Sequence, residues 1–178
     1  LQRALFKDPQ RLQLVDKIFD LLVYKKFRQA LGGKMRMVIC GGAALSEELE
    51  RFYNNIGVEL YCGYGLTESA PVLAVNYAKA RKLGTVGKAF PGVTLRVGQD
   101  KELLAKGPNI MRSYHNNLQK TAETIINGWL HTGDLAEIDS EGFVKIIGRK
   151  KELFKTANGK YVRPVFIEQK LVQELGFL

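Results

Sequence analysis

Three short stretches of the chain hold the residues best suited to chemistry. The first is GYGLTESAP, residues 63–71. Its glycines let the backbone take crowded conformations, so a ligand can approach closely. Tyr64 offers a flat face on which a base can stack. Thr67 offers a hydroxyl to a phosphate oxygen. Glu68 offers a hard oxygen for magnesium, which is usually held through one or two carboxylates plus substrate phosphates. The second stretch is HTGDLAEID, residues 131–139. Asp134 follows a Thr-Gly turn, and a carboxylate accepting two hydrogen bonds is the usual reader of a ribose diol. The third is GRKKELFKTANGKY, where Arg149, Lys150, Lys151, Lys155 and Lys160 crowd a span suited to phosphorylated ligands.

Each stretch also has a plainer reading. GYGLTES and HTGD both suit ordinary turns. The lysine run suits a solvated basic strand. No nucleophile is paired with His131 in the sequence, so it reads as structural. Asp139, before Ser-Glu-Gly, reads as a hairpin residue.

The elements that must position these groups follow from periodicity. RLQLVDKIFDLLVYKKFRQALGG carries Leu12, Val15, Phe19 and Leu22 at helical spacing, a core-packing stripe that Gly32-Gly33 stops. MRMVIC is a strand and GGAAL a tight turn. Ser46 is placed to cap a helix whose Glu47 and Glu48 suit its positive end. Leu49, Phe52 and Ile56 give that helix an apolar face, Gly57 ends it, and VELYC is a second strand. Strand, helix, strand at this spacing predicts a βαβ unit with parallel pairing. Ligands of parallel sheets sit beyond the carboxyl ends of the strands, where GGAAL and GYGLTES both fall.

From about Gly84 the texture changes to short β-like runs broken by glycine, proline, Asn-Gly and Glu-Gly, interrupted by a short helix in LQKTAETII. TANGKY then reads as a hairpin turn, and PVFIEQKLVQEL as a helix with Pro164 near its start. The expected class is α/β. A parallel βαβ portion (1–83) is followed by a β-rich subdomain (84–150) and the truncated start of a small α+β domain (151–178).

Composition narrows the setting. The 178 residues are 46% hydrophobic and 25% charged, ordinary for a globular protein. No apolar run is long enough to cross a bilayer, and the start has no signal-peptide pattern. The opening LQRALFKDPQ suggests a piece of a longer protein. Cys40 and Cys62 end apolar runs, match no zinc or redox spacing, and read as reduced, buried thiols of a cytoplasmic protein. The net charge of +9, from 27 basic and 18 acidic residues, admits nucleic acid, an anionic membrane face or a phosphate-rich small ligand. No zinc-finger, RNP or basic-zipper pattern is present, so nucleic acid is not the expected partner.

GGAAL, GYGLTES, GWLHTGDLAEID and GRKKELFKTANGKYVRPVFIE resemble, in this order, the motifs of the adenylate-forming enzymes. Among these the chain is most similar to the AMP-forming long-chain fatty acyl-CoA synthetases, and KGPNIMRSY and TAETI look like that group too. The resemblance covers nearly the whole chain. It implies that ATP and a long-chain fatty acid give acyl-AMP and pyrophosphate, and that the CoA thiol then displaces AMP. It implies that Gly41, Gly42 and Ala43 line an adenine pocket and that Tyr64 stacks on the ring. Thr67 would contact phosphate, Glu68 would hold Mg2+, and Asp134, assisted by Arg149, would grip the ribose hydroxyls. Lys151 falls at the family's hinge, and Lys155 in the loop that swings in for thioester formation. Gly63, Gly65 and Leu66 would lie along the acyl pocket, their bareness leaving room for the acyl-adenylate.

The resemblance also places a phosphate loop upstream and a catalytic lysine downstream of this chain, so the chain alone is expected to be inactive. Asn158 stands where the family usually has glycine, which bears on CoA access. Two other functions stay open on the sequence: a ligase passing the acyl group to a carrier protein, and a nucleotide-binding module without catalysis. Peripheral contact with an anionic membrane, where a fatty acid partitions, suits the basic charge.

Overall fold

The computed structural model describes residues 18–152, with 154–155, 161–162, 167–168, 171, 174 and 175 beyond them. Contacts divide the chain into two compact units. One is Leu1–Ile39 with Glu47–Leu60, and the other is Cys40–Ser46 with Tyr61–Leu178.

In the first unit a π-helical turn, Asp20–Tyr24, runs into helix α1, Lys25–Ala30. Gly32 and Gly33, at φ +89° and +71°, end it as the sequence predicts. The Arg28 guanidinium bonds both oxygens of Asp20, at 2.7 and 2.9 Å, and the carbonyl of Ile56 at 2.7 Å. Phe27 meets Phe52 edge-on at 5.2 Å. Strand β1, Met37–Cys40, precedes helix α2, Glu47–Asn55. Ile56 and Val58 are buried behind it, whereas Leu49 and Phe52 of the expected apolar face are exposed and Glu50 is buried. The expected stripe of the first helix behaves likewise. Phe19 and Leu22 are 50% and 58% exposed, and Leu12 and Val15 lie outside the described residues.

Strand β2, Glu59–Gly65, follows α2 and lies beside β1 in a sheet ordered β1-β2-β3-β4. Strand–helix–strand is thus present in the predicted order. The sheet then continues antiparallel through β3, Val72–Val75, a strand the sequence reading passes over, and β4, Lys88–Ala89.

The second unit holds the β-rich part. Strands β5 (Thr94–Val97), β6 (Glu102–Lys106), β7 (Ile125–Ile126), β8 (Trp129–Ile138) and β9 (Val144–Arg149) form one antiparallel sheet. β8 is its spine and pairs with β6, β7 and β9. Asn127-Gly128, both at positive φ, make the β7–β8 hairpin that such a pair favours. Asp139 makes the β8–β9 turn, its Oδ1 accepting the N–H groups of Glu141 and Phe143. Helix α3, Leu118–Thr124, is capped by Asn117, whose Oδ1 accepts the Lys120 N–H at 2.9 Å.

Two buried clusters join the sheets of this unit: Ala74 with Leu103, Ala136 and Val144, and Leu73 with Ala105 and Leu130. Tyr64 packs against both. Backbone bonds from Val86 N–H to the Val144 carbonyl and from Val144 N–H to the Gly87 carbonyl, each 2.8 Å, stitch the layers. Beyond β9, a 3-10 turn spans Lys150–Glu152, and β10 (Phe154–Lys155) pairs antiparallel with β11 (Tyr161–Val162). The TANGKY turn, Asn158 and most of PVFIEQKLVQEL lie outside the described residues.

Candidate active site

A cleft of about 1680 Å³ opens in the second unit between the turn after β2 and the β8–β9 sheet. Gly65, Leu66, Thr67, Glu68, Asp134, Arg149 and Lys151 all line it. These come from residues far apart in sequence, brought together by the two packed sheets.

The β2 side is held by neutral groups. Thr67–Ser69 form one 3-10 turn, closed by Ala70 in the left-handed region at φ +48°. The Leu66 N–H donates to the Pro71 carbonyl and to Ser69 Oγ, both at 2.9 Å. Ser69 Oγ, fully buried, lies 2.7 Å from the Pro71 carbonyl. A Cβ on Gly65 would stand 1.7 Å from that carbonyl, so glycine is required here by the chain's own backbone. The expectation that Gly65 is bare to admit an acyl-adenylate therefore has a structural cause beside it.

A second segment braces this turn. The Met111 N–H donates to the Glu68 carbonyl at 2.8 Å, and Asn109 Nδ2 donates to the carbonyls of Ser69 and Val72, both 2.8 Å. The Tyr114 hydroxyl donates to Glu68 Oε1 at 2.6 Å. The bond to this carboxylate, then partial burial, raises the Tyr114 pKa and keeps its proton in place. Thr67 is exposed, and Oε2 of Glu68 carries no bond among the described residues. An unbonded hard oxygen beside a cleft lined by Arg149, Lys150 and Lys151 fits a magnesium ion with phosphates.

The β8 side is held by charge. Asp134 is 3% exposed. Its Oδ2 accepts the Tyr64 hydroxyl at 2.6 Å, and its Oδ1 lies 3.2 Å from Arg149 Nε, its register partner on β9. Burial, then the bond to Asp134, pushes the Tyr64 phenol well above its ordinary range, so it remains a donor. Each carboxylate oxygen of Asp134 keeps a second lone pair for a further donor.

Beneath Asp134 lies a cluster that sequence reasoning missed. Glu102, 5% exposed, accepts the Gly133 N–H at 2.9 Å through Oε1. Its Oε2 lies 3.2 Å from both His131 Nδ1 and Lys150 Nζ. Lys150 also meets Asp100 at 2.5 Å. Burial disfavours the Glu102 carboxylate, but these three donors outweigh it and hold its pKa below the ordinary range. Lys150 is raised in turn, by Asp100 first and Glu102 second. The sequence signal was an acidic residue opening the apolar run ELLA, with His131 in need of a partner. The signal for Tyr114 was weaker still, a tyrosine in a polar loop.

Other expected site residues lie elsewhere. Gly41, Gly42 and Ala43 form an exposed turn, with Gly41 close enough to Gly63 that a Cβ would stand 3.2 Å from its carbonyl. They and Gly63 are not among the cleft-lining residues. Tyr64 is likewise not a lining residue and meets the cleft wall through its bond to Asp134. Lys155 stands on β10, and its side chain lies outside the described residues.

Comparison with known proteins fits this geometry. The chain is 46% identical over 154 residues to the long-chain-fatty-acid–CoA ligase FadD15 of Mycobacterium bovis, covering 86% of this chain and 26% of that protein. It is 39% identical over 169 residues to the mouse (Mus musculus) long-chain-fatty-acid–CoA ligase ACSBG1, covering 91% and 23%. The chain thus spans about a quarter of the length of the curated relatives it matches. Among solved structures, O-succinylbenzoate coenzyme A synthetase (MenE) from Bacillus subtilis in complex with AMP superposes with a TM-score of 0.71 at 28% identity, over 78% of this chain and 31% of that one. The same enzyme with ATP and magnesium ion gives 0.71 at 25% identity, over 84% and 35%. The fold is that of these coenzyme A synthetases. The family model for AMP-binding enzymes matches residues 7–115, more than half of the sequence, and the chain belongs to the AMP-binding enzyme family.

Proposed function

We propose that the chain is part of a fatty acid–CoA ligase that activates a long-chain fatty acid with ATP and passes the acyl group to CoA. The observation that carries this is one cleft lined by Thr67 and Glu68 on one side and by Asp134 and Arg149 on the other, in a chain of this family. Asp134 accepts the ribose hydroxyls, held in place by Tyr64 and Arg149. Thr67 donates its exposed hydroxyl to a phosphate. Arg149 and Lys151 offset phosphate charge, so the fatty-acid carboxylate meets an electrophile whose charge is already balanced. Glu68 would hold Mg2+, which when bound would supply neutralisation of phosphate charge. Tyr64 flanks the adenine, with Gly41, Gly42 and Ala43 at the far edge, and Gly63, Gly65 and Leu66 lie along the acyl group. Lys151 is the hinge about which the small domain turns between the two steps, and Lys155 rides on that domain toward the thioester step. CoA is the acceptor. The domain limits are those of the sequence reading: 1–83, 84–150 and 151–178.

A cytoplasmic location accords with Cys40 and Cys62 being thiols outside any disulfide. No described helix is long and apolar enough to cross a membrane, and the +9 charge supports peripheral contact with an anionic face.

The test is fatty-acid-dependent ATP–pyrophosphate exchange by the full-length protein containing this sequence. Exchange should rise with long-chain acids and fall roughly 10–100-fold in Asp134→Ala, as loss of a charged hydrogen-bond acceptor implies. No exchange with any carboxylic acid would sink the reading, and transfer to a carrier protein in preference to CoA would correct the acceptor.

A further inference from the structure

The strand that presents Asp134 is not a regular strand. In the β6–β8 ladder Leu104 faces His131 and Ala105 faces Leu130, but Glu102 faces Leu135. Thr132, Gly133 and Asp134 therefore stand opposite Leu103 alone, and a bulge of this kind re-aims the side chain it carries. Gly133 sits in it at φ +73°, a conformation that favours glycine. A bulge removes ladder partners, and buried backbone groups then need others.

Side chains supply them. Thr132 Oγ1 donates to the Leu103 carbonyl at 2.7 Å and accepts the Asp134 N–H at 3.1 Å. Oε1 of Glu102 accepts the Gly133 N–H at 2.9 Å. The same carboxylate, through Oε2, reaches Lys150 at 3.2 Å, one residue before Lys151 and one after Arg149.

We infer that Glu102 is a positioning residue: its carboxylate replaces the missing ladder acceptor of the 132–134 bulge, so setting the Asp134 carboxylate for the nucleotide ribose, and it anchors the chain at Lys150 where β9 ends. The role in ribose recognition rests on the function proposed above. Glu102 lines the same cleft as Asp134, and the role assigned here runs through its bonds rather than through a ligand contact. It acts through Gly133 on one side and Lys150 on the other.

The two attachments separate by substitution. Glu102→Ala removes both. Glu102→Gln keeps one carbonyl oxygen for Gly133 N–H and gives up the charge that holds Lys150. Binding of AMP and of 2′-deoxy-AMP to the full-length protein reads the ribose contact without catalysis. Hydrogen exchange over residues 130–136 reads the bulge without nucleotide.

In Glu102→Ala we expect the Gly133 amide to exchange faster at unchanged melting cooperativity. The preference for AMP over the 2′-deoxy form should fall about tenfold, the worth of one charged hydrogen bond. Glu102→Gln should keep both near wild type. A Glu102→Ala protein that still prefers the ribonucleotide as strongly as wild type would overturn the inference, as would Glu102→Gln losing the preference equally. Should Glu102→Ala fail to fold, the Gln variant with Thr132→Val, which cuts the other stitch, decides the same question. Faster Gly133 exchange in a protein whose wild type binds neither nucleotide would leave the bulge anchor standing and overturn the ribose role together with the proposed function.

Discussion

The two sides of the cleft are built from opposite materials. Around Thr67 and Glu68 the chain is held by backbone carbonyls, a buried hydroxyl and the Asn109 amide. Around Asp134 it is held by ionised groups: Glu102, Lys150, Asp100 and Arg149, with the Tyr64 phenol. Neutral bonds to backbone are indifferent to pH and salt. They tolerate no extra atom, because the acceptors are fixed main-chain oxygens. Charged groups on long side chains tolerate shape changes but respond to protonation. One side should therefore break by steric insult and the other by titration.

The sharpest test of that contrast is Gly65→Ala. The new methyl would stand 1.7 Å from the Pro71 carbonyl, and no flexible side chain can move away to admit it. We expect a loss of more than about 3 kcal/mol, or failure to fold, seen as a large drop in Tm. A stable Gly65→Ala protein would show that the turn yields. Ser69→Ala comes next. It leaves the Leu66 N–H with only the Pro71 carbonyl and removes a fully buried hydroxyl, costing about 1–3 kcal/mol in denaturant unfolding, with the same loss at pH 5 and pH 8.

The smallest effect belongs to the charged side and carries a pH signature. The folded protein lowers the Glu102 pKa, so its contribution is complete above the ordinary carboxylate range and disappears as pH falls through the lowered value. Wild type should exceed Glu102→Gln in stability near neutral pH, and the gap should close as pH drops below about 4. A gap that stays constant across pH would mean that the carboxylate's charge, which holds Lys150, adds nothing to this side of the cleft.

Much of the local structure was legible because its causes are local. Asn127-Gly128 makes a hairpin wherever it is flanked by strands, and Asp139 before Glu141-Gly142 closes its own turn. Asn117 caps α3 from one turn away. Gly32 and Gly33 end the first helix. GYGLTES and HTGD also stood out by residue type alone, and Gly65–Glu68 of the first and all of the second line the cleft. β3 escaped notice because VLAV is short and unpatterned, its two central residues buried in the sheet stack. The apolar faces read in the first helices are not buried as expected: Phe19, Leu22, Leu49 and Phe52 are exposed and only Ile56 of the second is buried, because periodicity marks a face but not what covers it.

What the sequence determined by itself was therefore the set of chemical groups, the turns that carry them and the family pattern they make. What only the tertiary structure decided was who holds whom. Tyr64 bonds Asp134 across 70 positions, Tyr114 bonds Glu68 across 46, and Lys150 bonds Glu102 across 48. The contacts of Asp134 and Glu102 depend on strand register and on a two-residue slip between β6 and β8, and that of Tyr114 on a loop folding back to the turn after β2. Register is set by which faces can be buried together, a property of the packed sheets that no local window of sequence contains.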